Sequence, residues 1–408
     1  MGRSLMLPIA TLPAAGLLLR LGQSDVLGDK GLSQHISWMQ PVADVLAAAG
    51  GAVFTNLPLI FAVVVAVGFA KKSDGSTAVA GLFGYLVFNG VLETLSKYLA
   101  PIAKFYKLVF SIDSDVSDVK INYGVLGGII IGVIAALLWQ RFYRIKLPDW
   151  LAFFGGRRFV PIITSGAAVL IATVMGAIYP AFNWLINEKF GGWLMHAGAH
   201  GGIGGSVAYF VYGVVNRLLI PFGLHHLWNS LPWFQLGNCQ SLTKQGETLH
   251  GDLTCFFQGT PETNAWTGNF MTGFFPIMMF ALPAAALAIW HTARLSRRRA
   301  TGALMISVAL TAFLTGITEP LEYAFAYVAF PIYAVHAVLT GSSLAIANLL
   351  GAKDGFSFSA GAIDYLLNFG KSAELSGGTV RGPLVIIIMG LVYAVIYYFL
   401  FRFLIVQF

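Results

Sequence analysis

The chain has 408 residues, a net charge of +7, 57% hydrophobic residues and only 11% charged ones, where a soluble globular domain carries about 25% charged residues. With a mean hydropathy of +0.74, that composition excludes a soluble enzyme or binding module and predicts an all-α polytopic membrane protein. The positive charge is no nucleic-acid footprint, because most of it is clustered in loops between apolar runs.

Taken in chain order, about ten runs are apolar enough for a ~30 Å hydrocarbon core, which takes roughly 20 residues. They are 5–22, 53–70, 77–99, 124–142, 159–186, 204–223, 269–292, 302–318, 324–350 and 383–405. The first follows only Met1-Gly-Arg-Ser and lacks a small-residue cleavage site, so it reads as a retained helix. Lys71 and Lys72 follow the second run. Arg141, Arg144, Lys146, Arg157 and Arg158 follow the fourth, and Arg294, Arg297, Arg298 and Arg299 follow the seventh with no acid among them. Loop 237–268 instead sets Lys244 against Glu247, Asp252 and Glu262. The positive-inside bias then places the N-terminus and the basic loops in the cytoplasm and loop 237–268 outside.

The only two cysteines, Cys239 and Cys255, lie in that loop. An exoplasmic position permits a disulfide; two unpaired thiols are the other reading. Within 144–162, cations precede Trp150, Phe153 and Phe154, which reads as an interfacial segment with aromatics at the acyl boundary, or else a plain loop. "SIDSDVSDVKIN" (111–122) looks like a surface loop.

To about residue 190 the runs are ordinary; beyond it they are interrupted. "NRLLIPFGLHHLWNSLPWFQLG" (216–237), "TGITEPLEY" (315–323) and "GFSFSAGAIDYLLNFG" (355–370) bring polar residues, Pro and Gly into apolar surroundings. Broken backbone at bilayer depth is tolerated where protein or a water-filled cavity satisfies it, and interrupted segments point to a transporter's binding site. The substrate chemistry is therefore expected within 216–370, with re-entrant hairpins near 224–236 and 315–323.

Glu319 stands between two apolar segments, with Gly316 before it and Pro320 after it. Pro320 should push it toward extended geometry, and an intramembrane carboxylate should face a cavity or a partner. A purely structural pair with Arg217 is the competing reading; Glu322 could simply reach the interface. His225 and His226 lie beside Trp228 and Asn229, combining imidazole, indole and amide. An imidazole can take a proton from an alcohol near neutral pH, and adjacent histidines lack metal-ligand spacing. No GxxxxGK[ST] loop occurs, so neither a metal nor another cofactor is expected. These residues alone also fit an ion-coupled sugar symporter with Glu319 as its proton or cation site, or a sugar receptor signalling through a partner.

"GITEPLEY" and "RLLIPFGLHHLWN" (217–229) resemble motifs of one family, as do "FYRIKLPDWLAFFGGRRFVPI" and the opening "GRSLMLPIATLPAAGLLLRLG". It is the membrane-spanning IIC component of the bacterial phosphotransferase system, glucose superfamily. The resemblance spans essentially the whole chain and implies that fold. It implies sugar-phosphotransferase function as the transport subunit, in the bacterial inner membrane. Residues 1–190 would form a scaffold that dimerises, and 191–408 the domain that moves the sugar. It implies that Glu319 binds sugar hydroxyls, that His225, with His226 beside it, lies near the primary alcohol, either histidine being the catalytic candidate, and that Arg217 and Asn229 contribute polar contacts. Implied partners are sugar, lipid, a second copy of the chain, and the IIB and IIA components, with the phosphoryl-carrying cysteine of IIB expected elsewhere than at Cys239 or Cys255. Most segments resemble the N-acetylglucosamine branch; "HHLW" (225–228) looks more like the glucose branch.

Overall fold

The computed structural model describes residues 14–23, 26–29, 31–110, 121–193, 202–222, 225–241, 248–260, 266–327, 329–357 and 359–407, with the backbone alone of Phe54, Ile186, Asn187, Phe190, Phe222, His226, Leu227 and Ser230. The surface loop expected at 111–122 lies almost wholly outside them. The chain divides into two compact units, Met1–Leu12 with Ala52–Trp193, and Pro13–Gly51 with Leu194–Phe408. It is mostly helical. Among the described residues five helices are long and apolar enough to cross a membrane, or six if Met39–Val53 and Leu57–Phe69 are counted as one span.

In chain order the helices are α1 (14–21), α2 (Met39–Thr55), α3 (Leu57–Phe69), α4 (Gly75–Ser96), α5 (Leu99–Phe110), α6 (Gly124–Phe142), α7 (Phe159–Asn183), α8 (Gly202–Leu219) and α9 (His225–Phe234). An antiparallel pair, β1 (Asn238–Gln240) and β2 (Thr248–His250), follows. Then come α10 (Asp252–Gln258), α11 (Leu282–Thr292), α12 (Arg298–Thr315), α13 (Glu319–Ala326), α14 (Phe330–Leu349), α15 (Ala362–Leu375) and α16 (Arg381–Gln407).

In the first unit α3, α4, α6 and α7 pack through small residues, which let backbones approach where no hydrophobic gradient drives association. A Cβ on Gly128 of α6 would lie 2.0 Å from the Pro58 carbonyl oxygen. Asp74 caps α4 by accepting from the Ser76 N–H (2.9 Å) and also accepts from Arg157 Nη1 (2.6 Å). Between α6 and α7 the chain makes two short 3-10 turns that leave Trp150 80% and Phe153 69% exposed, as an interfacial segment requires.

In the second unit α8 and α14 touch backbone to backbone: a Cβ on Gly341 would stand 2.5 Å from the Phe210 carbonyl oxygen, and one on Gly213 would stand 2.9 Å from the Gly341 Cα. α11, α12, α13, α14 and α16 share an apolar core that includes Leu282, Met305, Phe325, Tyr333 and Tyr397. Several expected spans come out shorter. The run 269–292 begins as buried turns, passes through a π-helical turn at Pro276–Ala281 and ends as α11. The run 324–350 is divided between α13 and α14, where Phe330 and Pro331 open a new helix.

Cys239 and Cys255 form a disulfide, which ties β1 to α10. α10 is secured again by Asp252, whose carboxylate oxygens accept the Gly268 N–H (2.5 Å) and the Phe270 N–H (2.9 Å).

Candidate functional site

The stretch Thr315–Pro320 stops one helix and starts the next. Gly316 ends α12 in the left-handed conformation (φ 72°), the usual glycine solution at a helix C-terminus. Thr318 then caps α13, and its carbonyl receives the N–H groups of Leu321 (3.0 Å) and Glu322 (2.9 Å). Glu319 is therefore the first residue of a helix, not the extended residue that Pro320 suggested. Proline fits this first turn because its missing N–H would have no intrahelical partner there. The helix N-terminus in turn favours a carboxylate.

Two tyrosines hold α13 against the turn between α8 and α9. Tyr327 Oη donates to the Pro221 carbonyl (2.7 Å), and Tyr323 Oη reaches the Ile220 carbonyl at 3.4 Å. This brings Glu319 beside the start of α9, with its Oε1 3.9 Å from His225 Nε2. The separation exceeds a direct hydrogen bond. A hydroxyl oxygen about 2.8 Å from each atom would fit the pair, hydrogen-bonded to both. His225 is buried and the Glu319 side chain is 19% exposed. The side chain of His226 lies outside the described residues.

Arg217, 1% exposed at the end of α8, is paired with Glu322 and not with Glu319. Its Nη1 donates to Glu322 Oε1 at 2.7 Å. The same oxygen accepts from Thr318 Oγ1 (2.7 Å) and lies 3.6 Å from His336 Nε2. Tyr333 Oη donates to the Arg217 carbonyl and stands 3.4 Å from Glu322 Oε2. Glu322 thus does not reach an interface; it is completely buried. Arg217 also covers the Phe274 ring at 4.8 Å. Among the described residues, its Nε and Nη2 have no hydrogen-bond partner.

Asn229 is buried on α9, and its Oδ1 accepts from Asn216 Nδ2 (2.5 Å) and Tyr212 Oη (2.8 Å). Those donors sit four residues apart on α8, so one helix face serves a single amide oxygen. The sequence reading singled out none of Tyr212, Asn216, Thr318 or Tyr333. Helical spacing was the available signal for Asn216, one step before Arg217. Tyr333 gave none, since it sits within an apolar run.

Among the described residues no group of three or more His, Cys, Asp or Glu could hold a metal ion. The Glu319 carboxylate and the His225 imidazole form a pair able to bind a hydroxyl of a neutral polyhydroxyl molecule and to take a proton from it.

A family model described as "Phosphotransferase system, EIIC" matches residues 2–341. The chain is 47% identical to the PTS system N-acetylglucosamine-specific EIIC component of Streptomyces coelicolor, covering all of this chain and 89% of the relative. It is 43% identical to the PTS system N-acetylglucosamine-specific EIICB component of Bacillus subtilis, over 98% of this chain and 75% of the relative. It is 41% identical to the PTS system N-acetylglucosamine-specific EIICBA component of Escherichia coli, over 98% of this chain but 53% of that longer relative.

Proposed function

The chain belongs to the phosphotransferase-system EIIC family, and from that premise we propose that it binds N-acetylglucosamine from outside the cell, carries it across the membrane and presents its C6 hydroxyl for phosphorylation. The specificity rests on the names of the three relatives; glucose is the alternative that "HHLW" raises. The single observation that carries the site is the 3.9 Å approach of His225 to Glu319, a spacing that a sugar hydroxyl can bridge.

In this reading α9 and α13 are arms of two re-entrant hairpins in a ten-span protein whose first 190 residues form the scaffold of a homodimer. The N-terminus and the arginine-rich loop 294–299 face the cytoplasm. Glu319 accepts from sugar hydroxyls, and the unsatisfied N–H groups of Arg217 donate to sugar oxygens. Asn229, its carbonyl already taken, offers N–H donors. Phosphoryl transfer is mainly a matter of positioning. The C6 oxygen attacks the phosphorus of a phosphocysteine on IIB, itself recharged by IIA. The S–P bond breaks, the thiolate leaves, and the hydroxyl proton passes to the His225 imidazole.

Calorimetric titration of the purified protein with N-acetylglucosamine and with glucose tests this. We expect saturable binding of the amino sugar, at least tenfold tighter than glucose; a preference for glucose overturns the substrate assignment. In proteoliposomes, sugar phosphate should form only with phosphorylated IIB. Gradient-driven accumulation by this chain alone would instead make it a symporter.

A further inference from the structure

The third interrupted segment begins between α14 and α15. It is deeply buried: Asp354, Phe356, Ser357 and Ala360 are each at most 3% exposed. Its N-terminal end is fastened twice. The Asp354 N–H donates to Thr272 Oγ1 (2.7 Å), and Asn368 Nδ2 donates to the Gly355 carbonyl (2.6 Å). Further along, Asp364 Oδ1 accepts both the Ser357 N–H (2.8 Å) and its hydroxyl (2.6 Å).

The crest of this segment lies against the turn that precedes Glu319. Ser359 Oγ donates to the Gly316 carbonyl at 2.8 Å. A Cβ on Gly361 would lie 2.5 Å from the Gly316 nitrogen and 2.5 Å from the Leu314 carbonyl oxygen; one on Gly316 would lie 2.6 Å from Ser359 Oγ. Two glycines therefore allow main chain to meet main chain, three residues before the carboxylate.

We propose that residues 359–361 are the backstop that sets where Glu319 stands, making Ser359 and Gly361 positioning residues for sugar recognition. The inference rests on the reading of Glu319 as a sugar ligand. Neither residue is offered as a sugar contact. Each fixes the turn at Gly316, and through it the first residue of α13.

The test is a double-mutant cycle on the full-length protein, titrating N-acetylglucosamine by calorimetry and checking the fold by thermal unfolding. Ser359→Ala removes one hydrogen bond and should weaken binding about 3- to 10-fold. Gly361→Ala forces the turn to move by close to an ångström and should weaken it about 10- to 100-fold. In a Glu319→Gln background neither substitution should cost much more, because effects passing through one residue do not add. Parent-like affinity of folded Ser359→Ala and Gly361→Ala, with Glu319→Gln weakened, overturns the backstop and leaves the Glu319 reading standing. Equal losses in both backgrounds overturn it too, since the segment then acts independently of Glu319. If Glu319→Gln alone binds like the parent, the reading beneath the inference fails and takes the inference with it. Should Gly361→Ala not fold, Ser359→Ala, which introduces no clash, decides.

Discussion

Arg217 and Glu322, 105 residues apart in the chain, meet at 2.7 Å with both side chains at most 2% exposed. The pair joins the end of α8 to the first turn of α13, so the two segments that carry the candidate ligands are bound by one buried charge pair.

Glu322→Gln should therefore lower the thermal midpoint of the detergent-solubilised protein by several degrees. Removing one member of a buried pair leaves an uncompensated charge, typically costing about 3–5 kcal/mol. The double variant Arg217→Leu with Glu322→Leu should recover most of that midpoint, because apolar replacement of both partners is often near neutral. It should not recover sugar affinity if the guanidinium also donates to the sugar. Recovery of both would assign Arg217 to structure alone.

The disulfide gives a second expectation. Cys239 and Cys255 are 16 residues apart, and a loop of that length stabilises by about 3 kcal/mol in the chain-entropy account. The protein has no other cysteine, so a maleimide should label none before reduction and two afterwards. Reduction should also lower the thermal midpoint. Two thiols reactive without reductant contradict the pairing.

A third expectation concerns topology. Ser296 lies among Arg294, Arg297, Arg298 and Arg299, and Ser296→Cys introduces a thiol outside the disulfide. By the positive-inside bias it should resist an impermeant reagent added to intact cells and react once the membrane is opened. Prompt labelling from outside reverses the orientation.

The helical membrane character and the breaks were legible in the sequence, because a long apolar run and a Gly or Pro within it act locally. Gly316 and Pro320 are the clearest case: the residues marked the interruption correctly. What they did not disclose was that Pro320 opens a helix there, which turns Glu322 inward, three residues beyond Glu319 and on nearly the same face. The competing reading, a pair of Arg217 with Glu319, names the wrong carboxylate for that reason, since neither partner's neighbours reveal which of two nearby carboxylates is deeper. Likewise Asp364 was visible as an isolated acid, yet its attachment to Ser357 and the contact of Gly361 with Gly316 depend on tertiary approach that no spacing encodes.

His225 bears on the chemistry. Its Nε2 faces Glu319, and acceptance of the sugar's hydroxyl proton there would contribute about 10²–10⁴-fold to the transfer rate. His225→Gln should slow phosphorylation by phosphorylated IIB by that order at saturating sugar. A rate near the parent's would remove the base role and leave His225 as a binding group.

The most direct measurement is the affinity of Glu319→Gln for N-acetylglucosamine. A hydrogen bond to a charged group contributes about 1.5–3 kcal/mol, so calorimetric titration should show a Kd raised roughly 10- to 150-fold, with the thermal midpoint close to the parent's. A folded variant whose Kd stays within about twofold of the parent's would contradict the account, because the carboxylate at the start of α13 would then not be holding the sugar.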